Sequence, residues 1–175
     1  PEQPDSQDQF LDWINQQYKW RRNEEVYITP NYDSPTHRIH WENDNKVYLA
    51  NFNNKPLDLI TLQIIFENSQ QPQLSKAIEC FGFPESYVAT ISEKHNVVLL
   101  WYQEKGMVVY GSADTGNEKI AKYDLNTILF LSKPTTTKAM LVIFEQLGLT
   151  DFSRDAQFMQ TWRGMNEIDF VNSVP

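Results

Sequence analysis

The residues of this chain that could hold a metal ion or act on a substrate are few and widely spaced. The three histidines, His37, His40 and His95, have no cysteine or carboxylate at the spacing that metal ligands need. Alternation along the stretch 38–42 predicts that His40 and Glu42 lie together on the solvent side of a strand, as ordinary surface residues. The sequence therefore predicts no metal site and no cofactor.

Candidates for a nucleophile or a phosphate-binding loop are equally weak. Cys80 is the single cysteine, and its apolar neighbours in 77–81 predict a small buried side chain. The glycines of 111–116 are better explained by a turn than by a phosphate loop, and no Gly-x-Ser-x-Gly elbow occurs. We expect a protein that is not an enzyme, although a hydrolase site assembled from residues distant in sequence stays open.

Composition and charge narrow the class of protein. With 175 residues, of which 13% are aromatic, the chain suits one domain and is too apolar for disorder. A net charge of −8 disfavours binding to nucleic acid or to anionic lipid. We therefore expect no nucleic-acid partner, and membrane contact only through an N-terminal lipid anchor if one is present.

The chain starts with a polar lead that has no initiator Met. This lead has three interpretations: the mature end left by a signal peptide, the tether of a lipoprotein, or a trimmed end. A polar spacer favours export, so we expect an exported protein of the cell envelope or the extracellular space, with 1–5 as lead or tether. The lack of paired cysteines leaves a cytoplasmic location as the alternative.

Two stretches resemble one unit written twice, sixty positions apart. Trp41 aligns with Trp101, and the same offset aligns Tyr48 with Val108. A repeat of this kind predicts tandem structural units. The units are placed at 6–70 and 71–133, and 134–175 forms C-terminal helices and a tail within one compact domain.

The first unit is predicted to be a helix followed by an antiparallel meander. Apolar residues at helical spacing place the helix at about 6–19. Alternation in 38–42 and 47–52, separated by the turn residues 43–45, predicts a β-hairpin. The stretch 57–66 is apolar on both faces and predicts a central strand.

The second unit repeats this order. A helix at 72–82 ends at Gly82, which takes a left-handed conformation without steric cost, and Pro84 stops its continuation. The predicted strands lie at about 86–92, 97–103, 107–112 and 119–131. Two helices should follow, one starting at 135–137 and one at 151–162, and then a tail, 165–175, that adds an edge strand or stays loose. The fold class is α+β, with two tandem helix-plus-antiparallel-meander units forming a shared sheet and C-terminal helices.

A family resemblance rests on the stretch Leu-Ser-Lys-Ala-Ile-Glu-Cys-Phe-Gly-Phe-Pro at 74–84, followed by Leu-Trp-Tyr at 100–102. This pattern, over about 6–131, resembles the tandem units of the beta-lactamase inhibitor protein family and, more loosely, related small outer-membrane lipoprotein domains. The resemblance implies an exported, non-enzymatic protein that binds other proteins through the open face of its sheet. The chain departs from that family in its C-terminal helices and unpaired cysteine, so only a binding scaffold is implied.

The strand faces indicate where a partner would bind. If Leu99 and Trp101 point inward, the opposite row of the second hairpin is apolar too, and it consists of Val98, Leu100, Tyr102, Met107 and Val109. An apolar row needs a cover, which is either the C-terminal helices, a partner or ligand, or a second copy in a homodimer. The functional hypothesis is a non-enzymatic module that binds a protein partner of unknown identity through this row.

Two alternatives stay open. One is a small-ligand-binding protein or enzyme with a pocket between the sheet and the C-terminal helices, lined by Trp101, Tyr110, Phe144 and Trp162. The other is an accessory subunit of an intracellular complex.

Overall fold

The strands that the structure describes form a single sheet. The structure is a computed structural model that describes residues 27–30, 36–43, 46–53, 59–67, 71–91, 95–114, 119–131, 136–146 and 156–172. Its strands are β1 (Tyr27–Pro30), β2 (Thr36–Asn43), β3 (Lys46–Asn53), β4 (Leu59–Phe66), β5 (Ser86–Ile91), β6 (His95–Tyr102), β7 (Met107–Asp114), β8 (Asp124–Leu131), β9 (Gln160–Thr161) and β10 (Val171–Asn172). Its described helices are α1 (Leu74–Phe81) and α2 (Thr137–Gln146). The predicted α+β class is confirmed.

Two antiparallel meanders meet in the middle of this sheet. The strand order is β1-β2-β3-β4-β8-β7-β6-β5-β10, and β9 also pairs with β5. We call β1–β4 the first meander and β5–β8 the second meander; the antiparallel pairing of β4 with β8 joins them. The predicted hairpin and the central position of 59–66 are confirmed, and the helix predicted at 6–19 lies outside the described residues.

Helix α1 follows the predicted signals. Leu74, Ala77 and Ile78 are its buried residues, at the spacing of one helical face. Gly82 ends the helix with a positive φ of 82°, and its N–H donates to the Ile78 carbonyl at 2.8 Å. The prediction that Cys80 is buried is wrong: its thiol is exposed, because position 80 lies off the buried stripe.

The C-terminal part differs from the prediction. Helix α2 starts at Thr137 as expected, and the Thr136 hydroxyl accepts from the Ala139 N–H at 3.4 Å. The helix predicted at 151–162 is wrong for its described part, where a single 3-10 turn at 156–158 leads into β9. The free edge of β5 offers backbone partners that outcompete a marginal helix at this point. The tail adds an edge strand, because β10 pairs parallel with β5.

Strand register defines two faces of the sheet. The row Tyr48, Ile64, Ile128, Val109 and Leu100 runs across both meanders and marks what we call the front face. The neighbouring row marks the back face and consists of Leu49, Gln63, Leu129, Val108 and Trp101. Side chains alternate between faces along a strand, so membership of a row fixes the face.

The sixty-residue alignment does not relate the two meanders face for face. It pairs Tyr48 with Val108, and these residues lie on opposite faces of the sheet. A shift of one residue moves a whole strand pattern to the other face, so the alignment is one position out for a face-preserving match. The tandem relation of the two units stays a prediction.

Each face of the second meander carries its own core. The front cluster contains Leu74, Ala77, Ile78, Tyr87, Ala89, Val98, Leu100, Tyr102, Met107, Val109, Ile120, Tyr123, Leu125 and Ile128. The back cluster contains Val88, Leu99, Trp101, Val108, Leu129, Leu131, Met140 and Phe144. Helix α1 therefore packs on the front face and helix α2 on the back face, so the second meander lies between two helices.

Helix α1 approaches the sheet closely at Gly111. The register between β7 and β8 shifts between Tyr110 and Gly111, and a side chain at 111 would point at the helix. A Cβ there would lie 3.1 and 3.2 Å from the two Leu74 methyl groups and 3.2 Å from the Asp124 carbonyl oxygen. Because Leu74 is fully buried, it has little room to move away.

Gly111→Ala should lower the free energy of unfolding by about 1–2 kcal/mol, because overpacking at Leu74 outweighs the smaller entropic gain of alanine. Urea unfolding measures this change. The same substitution in a Leu74→Ala background should be less harmful, since two of the three close contacts are gone. Equal losses in both backgrounds would contradict crowding by Leu74.

Candidate functional site

The apolar row that the sequence suggests as an open face is covered. Val98, Leu100, Tyr102, Met107 and Val109 are all 0–1% exposed. They lie on the front face beneath α1, and four half-buried residues of the C-terminal part pack against the same cluster: Trp162, Met165, Ile168 and Phe170. None of the five is accessible to a partner in this structure. The sequence shows that the row needs a cover, and the chain supplies it.

The four residues suggested for a ligand pocket do not line one space. Trp101 and Phe144 are fully buried on the back face with ring centroids 5.7 Å apart, and Tyr110 packs at the margin of the same cluster. Trp162 lies on the front face, edge-on to the Tyr87 ring at 6.0 Å. The space between sheet and helix at Trp101 is filled by side chains. Among the residues that the structure describes, the buried Trp101 Nε1–H has no hydrogen-bond partner.

Tyr102 ties the end of α1 to the sheet. Its hydroxyl donates to the Gly82 carbonyl at 3.0 Å, and the Phe81 ring packs edge-on at 6.3 Å. The Lys105 ammonium lies 5.8 Å from the centroid of the Tyr102 ring. Burial raises the pKa of the Tyr102 phenol well above its ordinary value, and the nearby Glu85 carboxylate adds to the effect. Tyr102 therefore has a structural role.

The first meander has a different back face, which is the candidate site. Along the back-face row, Trp101, Val108 and Leu129 of the second meander are followed by Gln63 and then Leu49. Leu49 and Gln63 are half-buried, as is Ile65 on the same face, so they retain solvent contact. Among the described residues, the back cluster under α2 includes no residue of β3 or β4.

A buried polar pair lies within this face. Asn51 and Thr61 are paired in register and are only 2% and 0% exposed. The Asn51 amide Nδ2 donates to the Thr61 hydroxyl at 2.8 Å. Two neighbouring strands are thus joined by a side-chain bond as well as by their backbone ladder, which makes the base of the face rigid.

Strand β2 pairs with β3 along its whole length. Positions 38, 40 and 42 hold Arg38, His40 and Glu42, and they pair in register with Asn51, Leu49 and Val47. Alternate positions of a strand are about 7 Å apart, so this row places a basic, a titratable and an acidic residue in sequence along one strand. We call the set Leu49, Asn51, Thr61, Gln63 and Ile65 the polar sheet face.

The polar sheet face was only partly visible in the sequence. Alternation places His40 and Glu42 together on a strand, but it gives no reason to single out Gln63 or Asn51. The signal that could have found them is the alternation of Thr61 and Gln63 with apolar residues in β4. It becomes visible only when the register brings Asn51 next to Thr61.

Chemically, the described side chains offer hydrogen bonding and apolar contact. Within the described ranges, no group of three or more His, Cys, Asp or Glu residues is placed to hold a metal ion. In that same part of the chain, no helix is long and apolar enough to span a membrane.

Thr61→Val should lower the free energy of unfolding by about 1–3 kcal/mol, because it removes the acceptor that Asn51 uses in a buried place. Replacing both residues, as Asn51→Leu with Thr61→Val, should lower stability by less than the sum of the two single changes. A double-mutant cycle in urea measures this coupling. Strict additivity would mean that the bond contributes nothing.

The raised pKa of Tyr102 predicts a loss of stability at alkaline pH. The unfolded phenol ionises near pH 10, whereas the folded phenol stays neutral, so stability is fully present below about pH 10 and falls as the pH rises beyond it. Tyr102→Phe should flatten this fall between about pH 9 and pH 11, although buried Tyr123, whose pKa is also raised, keeps part of it. Thermal unfolding across that range tests the effect, and an unchanged slope in the variant would refute it.

Comparison with known proteins gives no match: no protein-family model fits the chain, and no curated protein or solved structure is similar to it. The resemblance to the beta-lactamase inhibitor protein family therefore stays a prediction.

Proposed function

We propose that this chain is a non-enzymatic protein-binding module and that its contact surface is the polar sheet face. One observation carries the proposal: the second meander is covered on both faces by α1, α2 and the C-terminal part, whereas Leu49, Gln63 and Ile65 of the first meander keep solvent contact. The proposed binding surface is therefore the back face of the first meander and no longer the buried front row of the second meander.

The make-up of the polar sheet face supports a protein partner. Half-exposed Leu49 and Ile65 flank Gln63, which offers hydrogen-bond donors and an acceptor. Protein interfaces commonly combine an apolar centre, a few hydrogen-bonding groups and a charged rim. The strands and the Asn51–Thr61 bond hold these groups in place, so little conformational entropy is lost on binding.

The partner that suits this chain carries a positively charged surface. The net charge of −8 gives the chain a negative long-range field, which speeds the approach of a basic partner and slows that of an acidic one. The association rate should therefore fall as salt is added, whereas the short-range contacts to Leu49 and Ile65 should depend little on salt.

The binding face can be tested by site-specific photo-crosslinking. A benzoylphenylalanine placed at Gln63 should give a defined adduct with a partner in cells that make this protein, and the same group at the exposed Val142 of α2 serves as matched control. The cross-linked partner, identified by mass spectrometry, is then purified for quantitative binding. Gln63→Lys should weaken its affinity about tenfold or more, which corresponds to about 1.4 kcal/mol, and Val142→Lys should not.

Two results would overturn the proposal. One is an adduct at position 142 as abundant as that at position 63. The other is an affinity for the purified partner that Gln63→Lys leaves unchanged while circular dichroism shows the variant to be folded.

A further inference from the structure

The C-terminal segment 156–172, which we call the strap, crosses the edge of the sheet at β5. Its first strand, β9, pairs antiparallel with Ser86 and Tyr87, and its second, β10, pairs parallel with Thr90 and Ile91. Between these strands, residues 162–170 leave the β5 edge and pack on the front cluster. One edge strand thus receives two short strands from a single segment.

A hydrogen-bonded clasp holds the two arms of the strap together. The Tyr87 hydroxyl donates to Gln160 Oε1 at 2.9 Å and accepts from the Asp169 N–H at 3.0 Å. Gln160 Nε2 donates to the Asp169 carbonyl at 3.1 Å. The Trp162 N–H donates to the Glu85 carbonyl at 3.1 Å, and the Trp162 ring packs edge-on against Tyr87.

The strap packs on both faces while remaining at the surface. Phe158 and Met159 contact the back cluster, and Trp162, Ile168 and Phe170 contact the front cluster. All five side chains are half-buried, which is how a bound peptide lies in a groove. The contacts resemble strand addition, in which an extended segment pairs with a sheet edge and places alternate side chains in pockets.

We propose that the strap exchanges between two copies of this chain, so that each copy seals the β5 edge of the other in a closed dimer. The structure shows the strap paired with the β5 edge, and a second copy of the chain carries the same segment. All strap contacts named above recur in the dimer, because each is made to β5, to Glu85 just before it, to the two clusters or within the strap itself, and none to the linker. Exchange of identical elements is a low-cost route to symmetric dimers.

Protein concentration decides between the two forms. Nine residues, 147–155, separate the end of α2 from the strap, and a short tether gives an effective concentration in the millimolar range. Dilute protein therefore keeps its own strap, whereas chains refolded together at high concentration trap the exchanged form. Exchange does not involve the polar sheet face, so it is independent of the function proposed above.

A pair of cysteine variants tests the exchange. Ser86 and Thr161 are register partners on neighbouring antiparallel strands, a geometry that a disulfide can bridge. One variant carries Ser86→Cys and the other Thr161→Cys, each with Cys80→Ala to remove the exposed thiol. After joint unfolding, refolding at high concentration and oxidation, we expect a disulfide-linked dimer containing one chain of each kind, in a yield that rises with concentration.

The controls separate exchange from random cross-linking. Ser86→Cys with Thr161→Cys in one chain should close an intramolecular bridge at low concentration, and exposed Lys138→Cys in place of Thr161→Cys should give no specific dimer. Light scattering on the unmodified chain, refolded at high concentration, should show dimers that dissociate slowly on dilution. The proposal would be overturned if the double variant forms its bridge but the mixture of single variants contains only monomers at every concentration. Failure of the double variant to bridge would overturn it too, by removing the strap pairing.

Discussion

Strand β6 is apolar on both of its faces, and the rest of the structure depends on covering them. Leu100 and Tyr102 point to the front, Leu99 and Trp101 to the back, and all four are at most 2% exposed. Burying each such side chain contributes roughly 1.5–3 kcal/mol, so an uncovered face would be a large loss for a domain of this size. Helix α1 covers the front face and helix α2 covers the back face. The strap covers the edge of the sheet at β5.

The back face of the first meander differs, because it carries polar side chains beside apolar ones. Asn51 and Thr61 are hydrogen-bonded to each other in a buried place, and Gln63 keeps contact with water, so this half of the sheet accommodates polar side chains on that face. The two halves of the sheet thus differ: the second meander supplies the buried centre, and Leu49, Gln63 and Ile65 of the first meander keep contact with solvent. The proposed binding surface follows from this difference rather than from any reactive group.

Sequence patterns predicted where helices and strands lie along the chain better than which of them pack against each other. Period-two alternation placed the strands, and Gly82 placed the end of α1, because both signals are local. Alternation also showed that β6 is apolar on both faces, but it could not say which segment covers which face, since that choice is made between residues distant in the chain. For this reason the prediction placed Trp162 on the wrong face of the sheet. The prediction that Cys80 is buried was also wrong. The candidate site was missed for the same reason, because Asn51 and Thr61 become partners only through register.

The seam between β4 and β8 has a consequence for the order in which the chain folds. Strands within each meander follow one another closely, so their pairing closes short loops, whereas the seam joins Thr61 to Leu131 across the whole second half. We therefore expect the meanders to form early and the seam late. During synthesis, which proceeds from the N-terminus, β4 is complete while β8 is still unmade, and its apolar edge, with Ile64 and Ile65, is exposed for that time. We therefore expect the newly made first half to be the form of this protein most open to wrong strand pairing.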